Sequence, residues 1–250
     1  MYGFLIGFSS IFSLLFAEKM ISKKINKDVF WESSLFLLLT SVIGARLYHV
    51  LDYWDYYSNN YAQIFNLRQG GLGIFGAIFL GFSFIFIYSK IKNINFFILS
   101  DIYLFWAFFV QVFGRFGNWF NKELYGLPTN NSFFKIYIPL RYRYPKFKSY
   151  DYFHPLFFYE IFFDLLAFFI FLFLYKKLKI PIGFGIYSSL YLIFYGIIRL
   201  ILEPFRIKFD TFEFNEINLT VYISYSFILV GLLLLINRYL KINLNKNEFR

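Results

Sequence analysis

Between Gly114 and Gly126 the chain reads GRFGNWFNKELYG. The stretch places two cations (Arg115, Lys122), a carboxylate (Glu123) and two amides (Asn118, Asn121) directly after the apolar run LFWAFFVQVF. If it is helical, Arg115, Asn118 and Lys122 fall at i, i+3 and i+7 on one face, with Gly117 and Asn121 beside them. An arginine flanked by amides and bare glycine backbone suits an anionic phosphate, because a guanidinium presents its N–H donors as a rigid fork. The plainer reading is a polar helix end capped by asparagine, but five polar side chains in nine residues exceed what a cap uses.

Four other stretches bring polar groups into apolar surroundings. In YGIIRLILEPFR, Tyr195, Arg199 and Glu203 are spaced by four and share a helix face. Pro204 is expected to end or kink that helix, with Arg206 just beyond it. An Arg199–Glu203 ion pair is the structural reading, although a desolvated pair seldom adds stability. In GARLYHV, Arg46 lies late in an apolar segment ahead of Tyr48 and His49, where it either snorkels to the interface or serves a ligand. In RQGGLGIFGAIFLG, Gly70, Gly71, Gly73 and Gly76 permit close helix contact or approach of backbone N–H groups to a phosphate. In HPLFFYE, His154 resembles a helix cap, and Glu160, one turn further in, requires a partner. An ionisable group at the centre of a membrane segment costs roughly 2.5–3.5 kcal/mol, so each is a functional candidate. All lie near the outer ends of their segments. That placement suits a lipid headgroup better than a transmembrane path, whose polar groups would sit near the midplane.

The elements that must position these groups follow from composition. The chain has 250 residues, 59% hydrophobic and 26% aromatic, and a mean hydropathy of +0.54. A soluble domain needs more polar surface than that, so the solvent for most of the chain is lipid. Apolar segments run over about 2–17, 29–52, 69–89, 95–113, 156–175, 183–202 and 219–237. The first is read as a retained span, because it lacks a basic n-region and a small-residue cleavage site. The net charge of +10 comes from cations in short runs between these segments, which argues against a nucleic-acid partner. Alternate linkers are basic: EKMISKKINKD, KIKN, KKLK and the tail NRYLKINLNKNEFR. The positive-inside rule puts them in the cytoplasm and the N-terminus outside. Arg141, Arg143, Lys146 and Lys148, interleaved with tyrosines, form either a patch for anionic headgroups or a solvated loop. The absence of cysteine excludes disulfides, thiolate metal sites and a cysteine nucleophile in the protein itself. With two isolated histidines, neither a metal nor another cofactor is expected. The fold class expected is all-α: a polytopic membrane protein forming a bundle of about seven transmembrane helices. It is read as a single domain over 1–250, with an extracytoplasmic head segment at about 114–155.

GRFGNWFNKELYG is similar to the signature of the bacterial prolipoprotein diacylglyceryl transferases, and the resemblance continues in order along the chain. YGFLIGF resembles the family's first helix, with Tyr2 on its functional tyrosine, and GARLYHV its Gly-Arg motif. GGLGIFGAIFLG resembles its glycine-rich third helix, HPLFFYE its His-Pro…Tyr-Glu motif, and YGIIRLILEPFR its Tyr-Gly…Arg…Glu…Arg motif. The resemblance implies a multi-pass enzyme of the bacterial inner membrane. It would move the diacylglyceryl group of phosphatidylglycerol onto the lipobox cysteine of a prolipoprotein signal peptide and release glycerol-1-phosphate. It makes Arg115 and Arg199 central and also implicates Tyr2, Asn118, Glu123, Gly126 and Glu203. Three departures stand out. The family's His-Gly-Gly is Phe75-Gly76-Ala77, a common glutamine is Phe157, and the last helix has Val221 in place of a glutamine, with Ser224 retained.

The reaction so implied asks for cations at a leaving phosphate, and here Arg115 and Arg199 are assigned to it, with Asn118 and Asn121 as orienting donors and Glu203 holding Arg199. Tyr195, Arg46, Arg206 and Gly126 complete the expected lipid-binding set. The thiol's proton acceptor is left open among Glu123, Tyr2, His154 and the electropositive site itself. A catalytically impaired, lipid-binding relative and a small transporter are the alternatives.

Overall fold

A computed structural model describes residues 2–21, 23–66, 70–131, 133–207, 213–214 and 217–247. Seven long helices fall on the seven apolar segments: α1 Tyr2–Ile21, α2 Lys27–Asp52, α3 Ile74–Ile91, α4 Phe96–Asn121, α5 Leu156–Lys176, α6 Ile186–Leu202 and α7 Leu219–Asn247. Among the described residues six have the length and apolarity to cross a membrane, and α3 is a shorter apolar helix. Spanning needs about 20 residues at about 1.5 Å each. Large apolar side chains stay exposed on these helices, Phe79, Phe162 and Leu233 among them, which fits a lipid surround. The protein is thus all-helical and polytopic.

Backbone contacts divide the chain into two units, Glu18–Ser100 and Met1–Ala17 with Asp101–Arg250. In Glu18–Ser100, α2 and α3 approach until their backbones touch. A Cβ on Gly44 would lie 2.3 Å from the Gly76 carbonyl oxygen, and one on Gly76 would lie 2.0 Å from that of Gly44. Of the two roles open to this glycine run, Gly76 therefore serves helix contact. The Gly73 amide donates to the Ala45 carbonyl at 2.8 Å and ties the entry of α3 to α2.

In the other unit, α6 and α7 pack by the same device. A Cβ on Gly196 would lie 2.7 Å from the Ser224 carbonyl oxygen, and one on Gly231 would lie 2.8 Å from that of Ser189. The start of α6 is held from α4: the buried Asp101 carboxylate accepts from the amides of Gly183, Gly185 and Ser188 at 2.9 Å, and from the Ser188 hydroxyl at 2.7 Å. An N-cap from another helix satisfies otherwise orphaned N–H groups and sets the axial position of α6, and hence of Arg199.

The signature stretch is helical, so α4 runs to Asn121 and the non-helical segment begins at Lys122, not 114. The helix closes with the Glu123 amide donating to the Asn118 carbonyl at 3.1 Å and that of Lys122 to Trp119 at 3.3 Å. Lys122 is left-handed at φ 56°. These are the paired bonds of a Schellman closure, built here without glycine. Lys122 therefore leaves the face expected for it beside Arg115 and Asn118, and its Nζ lies over the Trp119 ring.

Beyond α4 the head segment has a small core of its own: Tyr125, Ile138, Phe153 and Phe157. A two-residue antiparallel pair, β1 Ile136–Tyr137 with β2 Tyr152–Phe153, frames it in the register Ile136↔Phe153. A further pair, β3 Glu213–Phe214 with β4 Ile217–Asn218, precedes α7. The Tyr125 hydroxyl donates to the Tyr142 carbonyl and accepts from the Tyr144 amide, both at 2.9 Å. Burial pushes the Tyr125 and Tyr144 hydroxyls above the ordinary phenol value. Two of the interleaved cations lie against tyrosine faces, Arg141 over Tyr142 at 4.6 Å and Arg143 over Tyr137 at 5.6 Å. Arg143 also pairs with Asp151 at 2.6 Å.

Candidate functional site

Three arginines and three carboxylates meet where α4, α5 and the end of α6 adjoin the head segment. Arg115 comes from the last two turns of α4, and Glu160 and Asp164 from successive turns of α5. Arg199 comes from the last turn of α6, and Glu203 and Arg206 from the 3-10 turn Glu203–Phe205 and its exit. As Pro204 implies, α6 stops at Leu202. Gln111, Arg115, Glu160, Asp164, Tyr195, Arg199 and Arg206 line one cavity of about 20 Å³ over the apolar Ile198 and Leu202. That is room for a single water.

Ion pairing is shared unequally. Glu160, 4% exposed, bridges two cations, taking Arg115 Nε at 2.8 Å through one oxygen and Arg206 through the other. Glu203 holds Arg199 at 3.3 Å. Among the described residues, Arg199 Nη1 and Arg206 Nε are buried without an acceptor, as is the Gln111 carbonyl oxygen without a donor. The other end of Gln111 donates to the Tyr191 hydroxyl at 2.7 Å. Tyr195 stacks nearly parallel on Tyr191, with centroids 5.9 Å apart. Buried donors left open beside three guanidiniums equip the cavity for a group rich in acceptor oxygens.

Of the expected site residues, Arg115, Arg199, Glu203, Tyr195 and Arg206 are brought together here. Asn118, Asn121, Glu123 and Gly126 do not line the cavity. Asn118 is buried, and the exposed Asn121 donates to Glu123 at 3.2 Å. Gly126 forms an antiparallel bridge with Arg206. A Cβ there would lie 2.6 Å from the Phe205 carbonyl oxygen, so glycine admits the strand-like contact that brings Arg206 back over the site. Tyr2 opens α1, and its side chain lies outside the described residues. His154 is not a cap: Pro155 takes the N-cap position. Its Nδ1 is 3.1 Å from the Tyr159 hydroxyl, its ring packs on Phe205, and burial lowers its pKa below the usual histidine value.

Arg46 neither snorkels nor faces an open donor site. In Glu18–Ser100 its guanidinium donates to the backbone carbonyls of Gln63, Ile64, Asn66, Gly70 and Gly71, which accounts for all five of its N–H groups. It also lies over the Tyr57 ring at 5.2 Å. It lines a cavity of about 110 Å³ with His49 and Tyr56, but its donors are committed to the chain.

Asp164 and Gln111 were not among the expected site residues, and Glu160 was singled out only as needing a partner. The readable signal was an acid repeated one turn after Glu160 within an otherwise apolar run, FFDLLAFF. Among the described residues no three His, Cys, Asp or Glu side chains gather as metal ligands.

Fold and site together define a class: a multi-pass helical membrane protein with a cluster of arginines and carboxylates sunk just below its non-helical head segment. The chain belongs to the prolipoprotein diacylglyceryl transferase family, whose model matches residues 1–237. It is 32% identical over 235 residues to the phosphatidylglycerol–prolipoprotein diacylglyceryl transferase of Trichormus variabilis, covering 92% of this chain and 82% of that protein. It is 34% identical to the Synechocystis protein of the same name, with the same coverage. To that of Finegoldia magna it is 32% identical, covering 93% of this chain and 88% of the relative.

Proposed function

We propose that this protein transfers the diacylglyceryl group of phosphatidylglycerol to the lipobox cysteine thiol of prolipoproteins, the first step of lipoprotein maturation. The thioether forms as glycerol-1-phosphate leaves. The observation that carries this reading is the convergence of Arg115, Arg199 and Arg206 on one cavity, with Arg199 Nη1 and Arg206 Nε buried and without an acceptor among the described residues. Negative charge grows on the leaving phosphate, and donors fixed beforehand in a water-poor site lower that barrier most. Glu160 and Glu203 hold the guanidiniums meanwhile. A phosphate is larger than the present 20 Å³ cavity, so its entry exchanges Glu160 contacts for phosphate contacts and widens the site. Asn118, Asn121, Glu123 and Tyr2 are retained as surrounding contributors, and Gly126 as the residue that seats Arg206. The whole chain acts as one transferase domain in the bacterial inner membrane, with its N-terminus outside and its C-terminus in the cytoplasm. The alternation of basic linkers supports that orientation.

The test uses purified protein in phosphatidylglycerol vesicles with a lipobox peptide and mass spectrometry for the diacylglyceryl adduct. Adduct from the native chain, and its loss in folded Arg115→Gln, is the expected result. Lipid binding without adduct identifies a binding-only relative. Undiminished turnover by the variant refutes the assignment of Arg115.

A further inference from the structure

The site as described handles the leaving phosphate but not the proton of the attacking thiol. A free cysteine, with a pKa of about 8.5, is only a few per cent ionised near neutral pH, so the proton needs a destination. The acids and bases near the head segment differ in how far they are already committed. Glu160 is bound to two guanidiniums and Glu203 to one. Glu123 is exposed and accepts from Asn121. His154 contacts Tyr159 and does not line the cavity.

Asp164 stands apart. It is 4% exposed and lines the same cavity as Arg115 and Arg199. Among the described residues its carboxylate takes part in none of the salt bridges, although the charges of Arg115 and Glu160 act on it. Among the described carboxylates of this cluster it is therefore the one that can gain a proton without breaking a salt bridge.

Resting on the reading above, we propose that Asp164 accepts the proton of the lipobox thiol. The S–H bond breaks as its proton passes to an Asp164 carboxylate oxygen. The sulfur electron pair forms the S–C bond at the terminal glyceryl carbon of the lipid. The C–O bond to phosphate breaks, and its electrons leave on the phosphate oxygen. Asp164 then returns the proton to the departing phosphate monoester, so no other reactant is consumed. Asp164 becomes neutral as the phosphate gains a charge, so the net charge of the desolvated cavity does not change during the step. In a low dielectric that conservation removes a large penalty.

The experiment compares two lipobox peptides, one with cysteine and one with selenocysteine, whose selenol is already ionised at neutral pH, using the full-length protein in phosphatidylglycerol vesicles. Asp164→Asn is expected to slow adduct formation on the cysteine peptide by about 10²–10⁴-fold, the range for loss of a positioned base. On the selenocysteine peptide it is expected to stay within about tenfold of the native protein, and Asp164→Glu is expected to restore most of the cysteine rate. Should the amide variant not accumulate folded, Asp164→Ser serves the same comparison. An equal loss on both peptides assigns Asp164 a merely structural role and overturns the proposal, as does an unchanged cysteine rate. Arg115→Gln runs in parallel and is expected to lose both peptides. If it loses both while Asp164→Asn is normal, the phosphate site stands and the base assignment fails. If Arg115→Gln turns over normally, the site reading itself fails.

Discussion

Two regions of this protein confront the same problem, arginine in a membrane-bound helix, and resolve it in opposite ways. Arg46 gives every N–H to backbone carbonyls between Gln63 and Gly71. The Arg115–Arg199–Arg206 group is held by two carboxylates and retains Arg199 Nη1 and Arg206 Nε without acceptors among the described residues. The first arrangement closes a loop around a cation. The second holds cations in readiness, because a carboxylate on a neighbouring helix can be exchanged for a phosphate while a set of loop carbonyls cannot be released without unfolding the loop. An intramembrane arginine is thus not by itself a sign of ligand binding, and what decides is where its donors end.

The sharpest way to break this comparison is to exchange the two kinds of arginine for neutral residues. Arg115→Gln is expected to lower thioether formation by about 10³-fold with the melting temperature in detergent little changed, since a preorganised donor at developing charge is worth that much. Arg46→Met is expected to act on stability instead. It strands several carbonyls at about 1–3 kcal/mol each, so a loss of at least about 3 kcal/mol and faster proteolysis within 53–71 should follow. Turnover per folded molecule should fall less than tenfold. If Arg46→Met abolishes turnover at an unchanged melting temperature, Arg46 belongs with the ligand-holding group and the contrast disappears.

Glycines sharpen the same distinction. Gly76→Ala places a Cβ 2.0 Å from the Gly44 carbonyl oxygen, and about 1–3 kcal/mol of destabilisation is expected from thermal unfolding. Gly114→Ala meets nothing within 4 Å, so alanine's better helix propensity should leave stability equal or higher. A loss of activity there without loss of stability would show that its bare backbone faces substrate. A smaller effect is expected at the helix closure. Lys122 holds φ 56°, a conformation costing an L-residue roughly 1–2 kcal/mol, so Lys122→Gly should gain about 1 kcal/mol in the same measurement. The least effect concerns pH. Burial keeps the His154 pKa below its unfolded value, so folding favours the neutral ring. Its contribution is complete above pH of about 6.5 and is lost as the pH falls from there through the folded value. His154→Gln should therefore flatten the decline in melting temperature between pH 7.5 and 5.5, and an unaltered slope would count against a buried neutral imidazole.

Much of this protein can be read without coordinates. Seven apolar segments became seven helices, most with ends within several residues, because lipid demands long runs of one solvent preference and those are visible locally. Two boundaries differ more: α7 runs to Asn247, past the apolar limit near 237, and the end of α4 is the informative one. Read by apolarity, α4 ends near 113, whereas it runs to Asn121 because Arg115 finds Glu160 and Asn118 is buried, so polar residues continue the helix. The glycine runs at 70–76 and the turn at Pro204 were likewise legible from conformational preference alone.

What the amino-acid order determined, then, is the set of spans, their breaks, and the identity of the unusual polar residues in them. That information is local: hydropathy, glycine and proline act over a few residues. Only the tertiary structure decided which arginines share a cavity, that Glu160 bridges two of them, that Arg46 is consumed by a loop, and that Asp164 lines the cavity outside the salt bridges found among the described residues. Those outcomes depend on contacts between residues as far apart as Arg115 and Arg206. A guanidinium's partners lie across helix interfaces, where sequence spacing carries no information about which donors and acceptors will meet.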